Sequence, residues 1–484
     1  MRLWASLCCA IALCAAPNAL AAYETAVLTA AEPTNVFDLH LGVGWDRIVK
    51  RGKITREWIQ DDGTSRTSLD VKELDLRVET QQLLLNLRVG VFHDLEFHAT
   101  APIILFEDST IAFAEGVAGR STITGSANAD DPAYADAPRY PITDVPGARF
   151  RSGFGDMTFG LGWSPFVDLE DDAQDVDAWP TITLRADVVA PTGPTRVTTE
   201  LEALTSSSRG NVGLGMTVFD LSAGASRRFG FNPTFDPFVI FGARIPIASS
   251  KQKERGMTPP VSGRFQVGSE IVLYEQPENH QRYAVSASFD TEFVSTGRTY
   301  SELSDYFPSF DETKVLGNRQ GPVDLPDAVL YGDYDNPANY ASRTDGARCG
   351  KIEGVPCGEL HQVDEFVTLG GTFAVDLRFA EYGMVRGGVQ IEYLADHFLT
   401  NERVGKDLDP TNLPDAQLCD GAECKGRVNA RNSFFDRATN TCPAGKTCDE
   451  RSSYYDPRYD APGRRFRLEE TTSFTIFVAG AATF

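Results

Sequence analysis

The chain ends in a stretch, Ser473 to Phe484, whose alternation leaves few folds open. At a period of two, Phe474, Ile476, Val478, Gly480, Ala482 and Phe484 share one face, while the other face begins polar and ends small. Successive side chains of a strand point to opposite sides, so this is a strand with one apolar face that runs to the final aromatic. Chain ends are normally polar and frayed. An aromatic at the tip of an apolar strand needs apolar surroundings, and two settings supply them: the core of a secreted β-sandwich and the hydrocarbon of a membrane.

The other end of the chain bears on that choice. Arg2 precedes an apolar run from Leu3 to Ala16, and Ala19-Leu20-Ala21 is a small-residue cleavage site. Residues 1–21 read as a secretory signal peptide, cut before Ala22. Cys8, Cys9 and Cys14 lie inside it, and Leu7 and Leu13 stand where a lipobox needs a small residue. No later apolar run approaches the roughly 20 residues of a membrane helix. The terminal strand resembles the closing strand of Gram-negative outer-membrane β-barrels. That resemblance implies that Phe474, Ile476, Val478 and Phe484 form the signal read by the barrel-assembly machinery, with the outer membrane as destination.

Composition supports export to a membrane and excludes one class of partner. The formal net charge is −23, whereas nucleic-acid binding needs a basic footprint. Acidic loops beside lipopolysaccharide and its divalent cations suit this balance, as does a lumen that favours cations. The sequence is rich in Gly, Phe and Tyr and poor in helical periodicity. Six cysteines follow the leader in close pairs: Cys349 with Cys357, Cys419 with Cys424, Cys442 with Cys448. Short spacing and an oxidising compartment favour three local disulfides. Zinc is the rival, against which stands the lack of any neighbouring His.

Alternation predicts twelve strands: 36–46, 77–91, 95–103, 155–166, 181–190, 212–229, 237–245, 264–274, 283–293, 366–379, 384–394 and 465–484. In the sixth, the apolar parity slips near Val218-Phe219, which predicts a bulge. Connections after even strands are mostly short, as at His93-Asp94 and Ala380 to Tyr382, and those after odd strands are long, the longest being 295–365 and 396–464. Short turns at one end and long loops at the other are the pattern of a transmembrane barrel. The turn from Asp168 to Ala178 departs from it and carries six carboxylates. Pro102, Pro191 and Pro246 sit at the far ends of the third, fifth and seventh strands, and all three are expected at the loop-side rim, because proline cannot donate to a ladder.

A sandwich and a barrel both alternate, but with opposite faces in water. The terminal Phe decides for a barrel, together with strand lengths near the 9–11 residues that cross a tilted bilayer. So do the aromatics expected at strand ends: Trp45, Trp163, Phe166, Tyr274, Phe379, Tyr382 and Phe484. The stretches Leu83 to Ile104 (LLLNLRVGVFHDLEFHATAPII), Ser152 to Trp163 (SGFGDMTFGLGW) and Val188 to Gly193 (VVAPTG) resemble strand-turn-strand units of transporter-like outer-membrane barrels, above all the meta-pathway phenol-degradation channel family. The resemblance implies passage of small organic solutes. Its motifs report turns and strand starts, and the two cysteine-bearing loops depart from the pattern.

The polar faces then become a lumen. Its candidate lining is Arg88, Glu96, His98, Arg185, Asp187, Asp290, Glu292, Asp376, Arg378, Arg386 and Glu392, with Arg244, Arg467 and Glu469 of similar parity. These charges either shape a constricted passage or pair with one another to fill it. Catalysis finds no support: no His has a Ser two residues on, His98-Ala99-Thr100 being the nearest approach, and no compact Asp-Asp and Asp-His pairing stands out. The acidic stretches Asp168 to Asp177 and Asp407 to Cys424 lack the spacing of a calcium loop, and no cofactor is called for.

The sequence therefore predicts an all-β, closed, antiparallel, up-and-down transmembrane barrel of about twelve strands over residues 35–484, preceded by a periplasmic segment, 22–34, expected in the periplasmic mouth. The expected partners are outer-membrane lipid, lipopolysaccharide, the barrel-assembly machinery and a small solute. Two functions stay open: a channel with a charged lumen, and a structural or adhesive surface barrel with a closed lumen whose loops bind a partner.

Overall fold

A computed structural model of the chain describes residues 22–27, 39–61, 66–92, 94–117, 147–166, 180–196, 212–230, 233–254, 256–276, 279, 281–306, 360–380, 383–402, 460 and 465–483. The signal peptide, the six paired cysteines, Tyr382, Phe484 and the two acidic stretches lie outside the described residues.

The long strands in chain order are β1 (Leu39–Asp61), β2 (Arg66–Phe92), β3 (Leu95–Phe113), β4 (Gly147–Phe154), β5 (Met157–Phe166), β6 (Thr181–Ala190), β7 (Met216–Ser226), β8 (Thr234–Ala248), β9 (Ser262–Gln276) and β10 (Gln281–Val294). After the short β11 (Gly297–Thr299) and β12 (His361–Val363) come β13 (Phe366–Ala380), β14 (Gly383–Leu394), the two-residue β15 (His397–Phe398) and β16 (Phe466–Thr483). Every neighbouring pair in the wall is antiparallel, and β4 and β5 share one side of β3 as a single interrupted stave. The terminal strand closes the wall: β16 pairs with β14 on one edge and with β1 on the other, from His40↔Thr483 to Arg56↔Phe466. Closure removes both sheet edges, and the result is a closed twelve-stranded antiparallel β-barrel.

Its outer face is apolar. Leu41, Val43, Leu85, Leu161, Leu184, Leu221, Phe241, Val267, Phe289, Phe373, Ile391, Phe474, Ile476 and Val478 are all exposed. Their lumen-side neighbours are small or polar, among them Gly42, Gly160, Asp220, Ser288 and Gln390. A water-soluble barrel would carry the reverse arrangement. Trp163, Phe166, Tyr274 and Phe379 are exposed near the short-turn end, where Tyr274 stacks on Tyr283 at 5.2 Å.

Four features differ from the reading by alternation. The first three strands run far past their expected ends, to Asp61, back to Arg66 and on to Phe113, so Trp45 sits inside its strand. In these extensions the polarity is inverted. Ile54, Leu74, Leu76, Ile111, Phe466 and Leu468 point inward and are buried, while Arg51, Asp75 and Arg77 on the opposite face are exposed. Beyond hydrocarbon the outer face meets water and the inner face becomes a core, so a search for one constant apolar face stops where the faces exchange roles.

Pro102 is likewise inside β3, not at its end. It pairs with Leu84 of β2, and its other side meets the break between β4 and β5, where Gly155 N donates to Pro102 O at 2.9 Å. The missing N–H of proline is accommodated by interrupting the neighbouring stave. Pro246 also lies inside a strand, opposite Val218, whereas Pro191 follows the end of β6 as expected. Finally, β7 shows no bulge: Val218 and Phe219 pair in continuous register with Val189 and Val188. Both are apolar because Val218 enters an inner cluster with Met216, Ala248, Met257 and Leu360, while Phe219 faces outward and is exposed.

Candidate functional site: lumenal charges around the N-terminal segment

Charged side chains reach the lumen because they occupy inward positions near the short turns. Near the β2–β3 turn, Arg88 lies opposite His98 and Glu96 opposite Gly90, and Arg88 reaches diagonally to Glu96 in a two-pronged pair, Nε to Oε1 at 2.9 Å and Nη2 to Oε2 at 2.6 Å. Glu96 is only 1 % exposed. His98 follows two residues on, with Nε2 at 2.8 Å from Asp187 Oδ1 of β6 and Nδ1 at 3.3 Å from Glu96. Carboxylates thus stand at both ring nitrogens. Gly160, between His98 and Asp187 on the intervening strand, makes the contact possible: a Cβ there would collide with both side chains.

Residues 22–27 cross this end of the lumen without joining the sheet. Tyr23–Thr25 form a single 3-10 turn, and Thr25 is fully buried, its hydroxyl within 3.2 Å of Ala22 O, to which it donates, and 2.7 Å from the Ser226 hydroxyl. Thr183 Oγ1 donates to Thr25 O at 2.5 Å. Two arginines converge on the next carbonyl: Arg88 Nη2 at 3.1 Å and Arg185 Nη2 at 2.7 Å from Ala26 O. Arg386 holds the opposite flank, donating to Glu24 Oε1 at 2.6 Å and lying over the Tyr23 ring at 4.0 Å. It also stands 3.5 Å from Asp376. Glu270, paired with Arg282, accepts from Tyr23 N at 3.3 Å. A cavity of about 250 Å³ remains beside the segment, lined in part by Tyr23, His40, Asn86, Arg88, Met384 and Arg386.

The rest of the expected lining lies elsewhere. Arg378 is half-buried on β13, opposite Arg282. Asp290 and Glu392 occupy one row of the wall with Gly370 between them, and a Cβ at Gly370 would run into the Asp290 carboxylate. Glu292 accepts from Ser262 Oγ at 2.5 Å and Glu392 from Gln390 Nε2 at 2.9 Å. Asp46 and Asp220 also point inward, with Gln82 and Arg264 as partners at 3.1 Å. Apart from Arg378, the expected residues fall into two groups: Arg88, Glu96, His98, Arg185, Asp187, Asp376 and Arg386 lie around the N-terminal segment, while Asp290, Glu292 and Glu392 sit in a separate acidic stretch.

At the loop end an apolar cluster packs inside the wall. Leu303, Tyr306 and Leu399 fold inward onto Ile54, Leu74, Ile111 and Phe466. Pairs between Lys50 and Glu302 and between Arg151 and Asp305 tie the incoming chain to the wall, and Tyr306 OH donates to Ser109 O at 2.8 Å. Burial tends to raise the Glu302 carboxyl, but the adjacent Lys50 ammonium outweighs it and holds the group below its ordinary value. Burial pushes the His397 imidazole down.

Sequence reasoning missed the working half of this site, namely Tyr23, Glu24, Thr25 and the Glu270–Arg282 pair. The two strand residues were legible as inward-facing by parity, but nothing in a period of two says which polar residue a distant segment will meet.

No family model and no curated protein matches the chain. Among solved structures, an outer-membrane channel from Pseudomonas putida F1 aligns over 92 % of this chain and 95 % of its own, with 9 % identity and a TM-score of 0.35. A FadL homologue from Pseudomonas aeruginosa aligns over 92 % and 90 %, with 8 % identity and a TM-score of 0.29. The outer-membrane protease OmpT from Escherichia coli aligns over 95 % and 100 %, with 6 % identity and a TM-score of 0.26. At these values the likenesses carry no statement about activity, and the fold rests on the strand pairing itself.

Proposed function

We propose that this chain is an outer-membrane channel for a small organic or polar solute, with residues 22–27 as a movable closure at the short-turn end of the lumen. The observation that carries this reading is how that closure is attached. The wall contributes side chains to it, Arg88, Arg185, Arg386 and Thr183, and no strand pairing. Exchanging a few side-chain hydrogen bonds for water costs far less than breaking a ladder of a closed wall, because each such bond is worth about 0.5–1.5 kcal/mol net and more when charged. The apolar belt fits hydrocarbon, where every backbone polar group must be satisfied within the wall, and β1–β16 closure meets that condition.

A second reading has its own support. The loop-end packing of Leu303, Tyr306 and Leu399 resembles a permanent core, as a closed-lumen surface barrel would have. Planar-bilayer recordings separate the two. The channel reading expects brief openings from the mature protein and long ones after deletion of residues 22–27. If the deleted protein folds, inserts and still shows no conductance, the closed-lumen reading replaces it.

A further inference from the structure

In a chain of net charge −23, the outward side of β1 and β2 turns basic where the apolar belt ends. Arg51 of β1 and Arg77 of β2 are both exposed and are direct partners in register. Side chains opposite each other on neighbouring strands stand about 4.5–5.5 Å apart at Cβ, and like charges there are unfavourable. The protein neutralises them only in part. Glu79 serves two guanidiniums at once, with Arg47 Nη2 at 2.8 Å and Arg77 Nη2 at 2.9 Å. Asp75 is paired with Lys72 and Glu470 with Lys53, while Asp108 lies a strand further off, opposite Glu79 on β3. Among the described residues, no carboxylate pairs with Arg51. Three guanidiniums, of Arg47, Arg51 and Arg77, thus stand against the one carboxylate of Glu79.

Aromatic neighbours fix the level of this cluster. Trp45 precedes Arg47 by two residues on the same face. Phe106 of β3 shares a rung with Gln81 and Arg47, and it stacks on the exposed Phe150 at 6.4 Å. Such rings collect where hydrocarbon meets headgroups. Phe150 in turn shares a rung with Asp108, Glu79 and Val49. Arg51 and Arg77 follow two residues beyond that rung, about 7 Å along the strand, on the side of the long loops. They therefore stand at headgroup height in the outer leaflet.

We propose that Arg51 and Arg77, with Arg47 below them, hold a phosphate of outer-leaflet lipopolysaccharide against the wall. Guanidinium matches phosphate with paired hydrogen bonds as well as charge, and basic clusters beside a bilayer bind anionic headgroups in this way. A phosphate between Arg51 and Arg77 turns their in-register repulsion into attraction. The acyl chains of the same molecule run down the outer face of β1 over Trp45, Val43 and Leu41, of which Val43 and Leu41 are exposed. A free phosphate ion has no use for that apolar track, which is why the occupant is a lipid. The site lies outside the barrel, so it does not depend on whether residues 22–27 gate the lumen.

Native mass spectrometry of the folded full-length barrel in detergent tests this, by titration with lipid A carrying both phosphates and with its dephosphorylated form. The phosphorylated form should bind about tenfold more tightly, as two charge-assisted contacts allow. Arg51→Gln with Arg77→Gln should bring the two forms to within about twofold. Lys251→Gln with Lys253→Gln removes the same charge from the exposed face of the short helix Ser250–Glu254, and it should keep the preference. Should the arginine double variant misfold, Arg51→Gln alone breaks no ion pair and should still weaken the preference. Equal binding of the two lipids by the parent overturns the proposal without any variant. A preference that survives loss of both arginines overturns it too, as does one that the lysine variant loses equally. Inorganic phosphate in millimolar excess should leave the lipid bound, and its displacement would replace the lipid site by a free-anion site.

Discussion

Replacing Arg386 by Met should loosen the N-terminal closure, and its effect can be sized from the contacts. Arg386 is 8 % exposed, and its partner Glu24 is 29 % exposed. The 2.6 Å bond between them is charge-assisted and partly buried, worth about 1.5–3 kcal/mol. The guanidinium over the Tyr23 ring at 4.0 Å adds about 0.5–1 kcal/mol. Together they give roughly 2–4 kcal/mol of docking free energy, or roughly a 30- to 1,000-fold shift in the ratio of docked to released segment, at about 1.4 kcal/mol per tenfold. Methionine keeps the apolar stem, so the wall loses charge more than volume. Single-channel recording reads the shift as open probability. Glu24→Gln approaches the same contact from the segment side and should raise it in the same direction, by less, because the amide still accepts a hydrogen bond. The double variant should fall short of additive, as expected when both changes remove one interaction. Should Arg386→Met leave open probability within threefold of the parent, while the barrel keeps the heat-modifiable mobility of a folded wall, the segment does not gate the lumen and the reasoning fails.

Phe289→Arg places a charge on the outer belt at a side chain that is 49 % exposed; it should cost about 2–4 kcal/mol if that position lies at mid-bilayer, whereas Phe289→Leu should cost under about 1.5 kcal/mol. Reversible unfolding by urea in lipid vesicles measures both, and equal stabilities would place Phe289 in water. Gly160→Ala should force His98 and Asp187 apart and lower stability by about 1–3 kcal/mol. Gly162→Ala, where an added Cβ meets nothing nearer than 3.5 Å, should be close to neutral in the same titration. For Glu302, whose carboxyl is held below its ordinary value of 4.5 by Lys50, the stabilisation of the loop-end packing is complete above about pH 4.5. It is lost as pH falls through the lowered value. Hydrogen-exchange protection factors of residues 300–306, taken relative to the intrinsic rate at each pH, should fall on acidification in the parent, and that pH dependence should shrink in Lys50→Met.

The residues near the membrane were the legible ones. Leu83, Leu85, Leu87, Phe159, Leu161 and Phe289 alternate with polar or small neighbours over the length of a bilayer crossing, because one solvent, hydrocarbon, selects every second position. The inward placement of Arg88, Glu96, His98, Arg185 and Asp187 followed from the same parity, but which of them would meet did not. Pro102 was misplaced because a sequence shows the missing donor but not the interrupted stave that tolerates it. The extensions of β1, β2 and β3 went unseen because Ile54, Leu74 and Leu76 lie on the face that is polar lower down the same strands.

What the sequence determined alone is therefore a period: twelve segments with an apolar side, their order, and an antiparallel wall whose short turns gather at one end. A local repeat is enough for that, since each strand answers to the solvent on its own two faces. The tertiary structure decided everything that depends on distance across the cylinder. It set Arg386 of β14, Arg185 of β6 and Arg88 of β2 around one stretch of chain from residues 22–27, and it brought Leu303 and Leu399 onto Ile54. Those partners are separated by up to several hundred residues and meet only because the wall closes, so no pattern read along the chain could have named them.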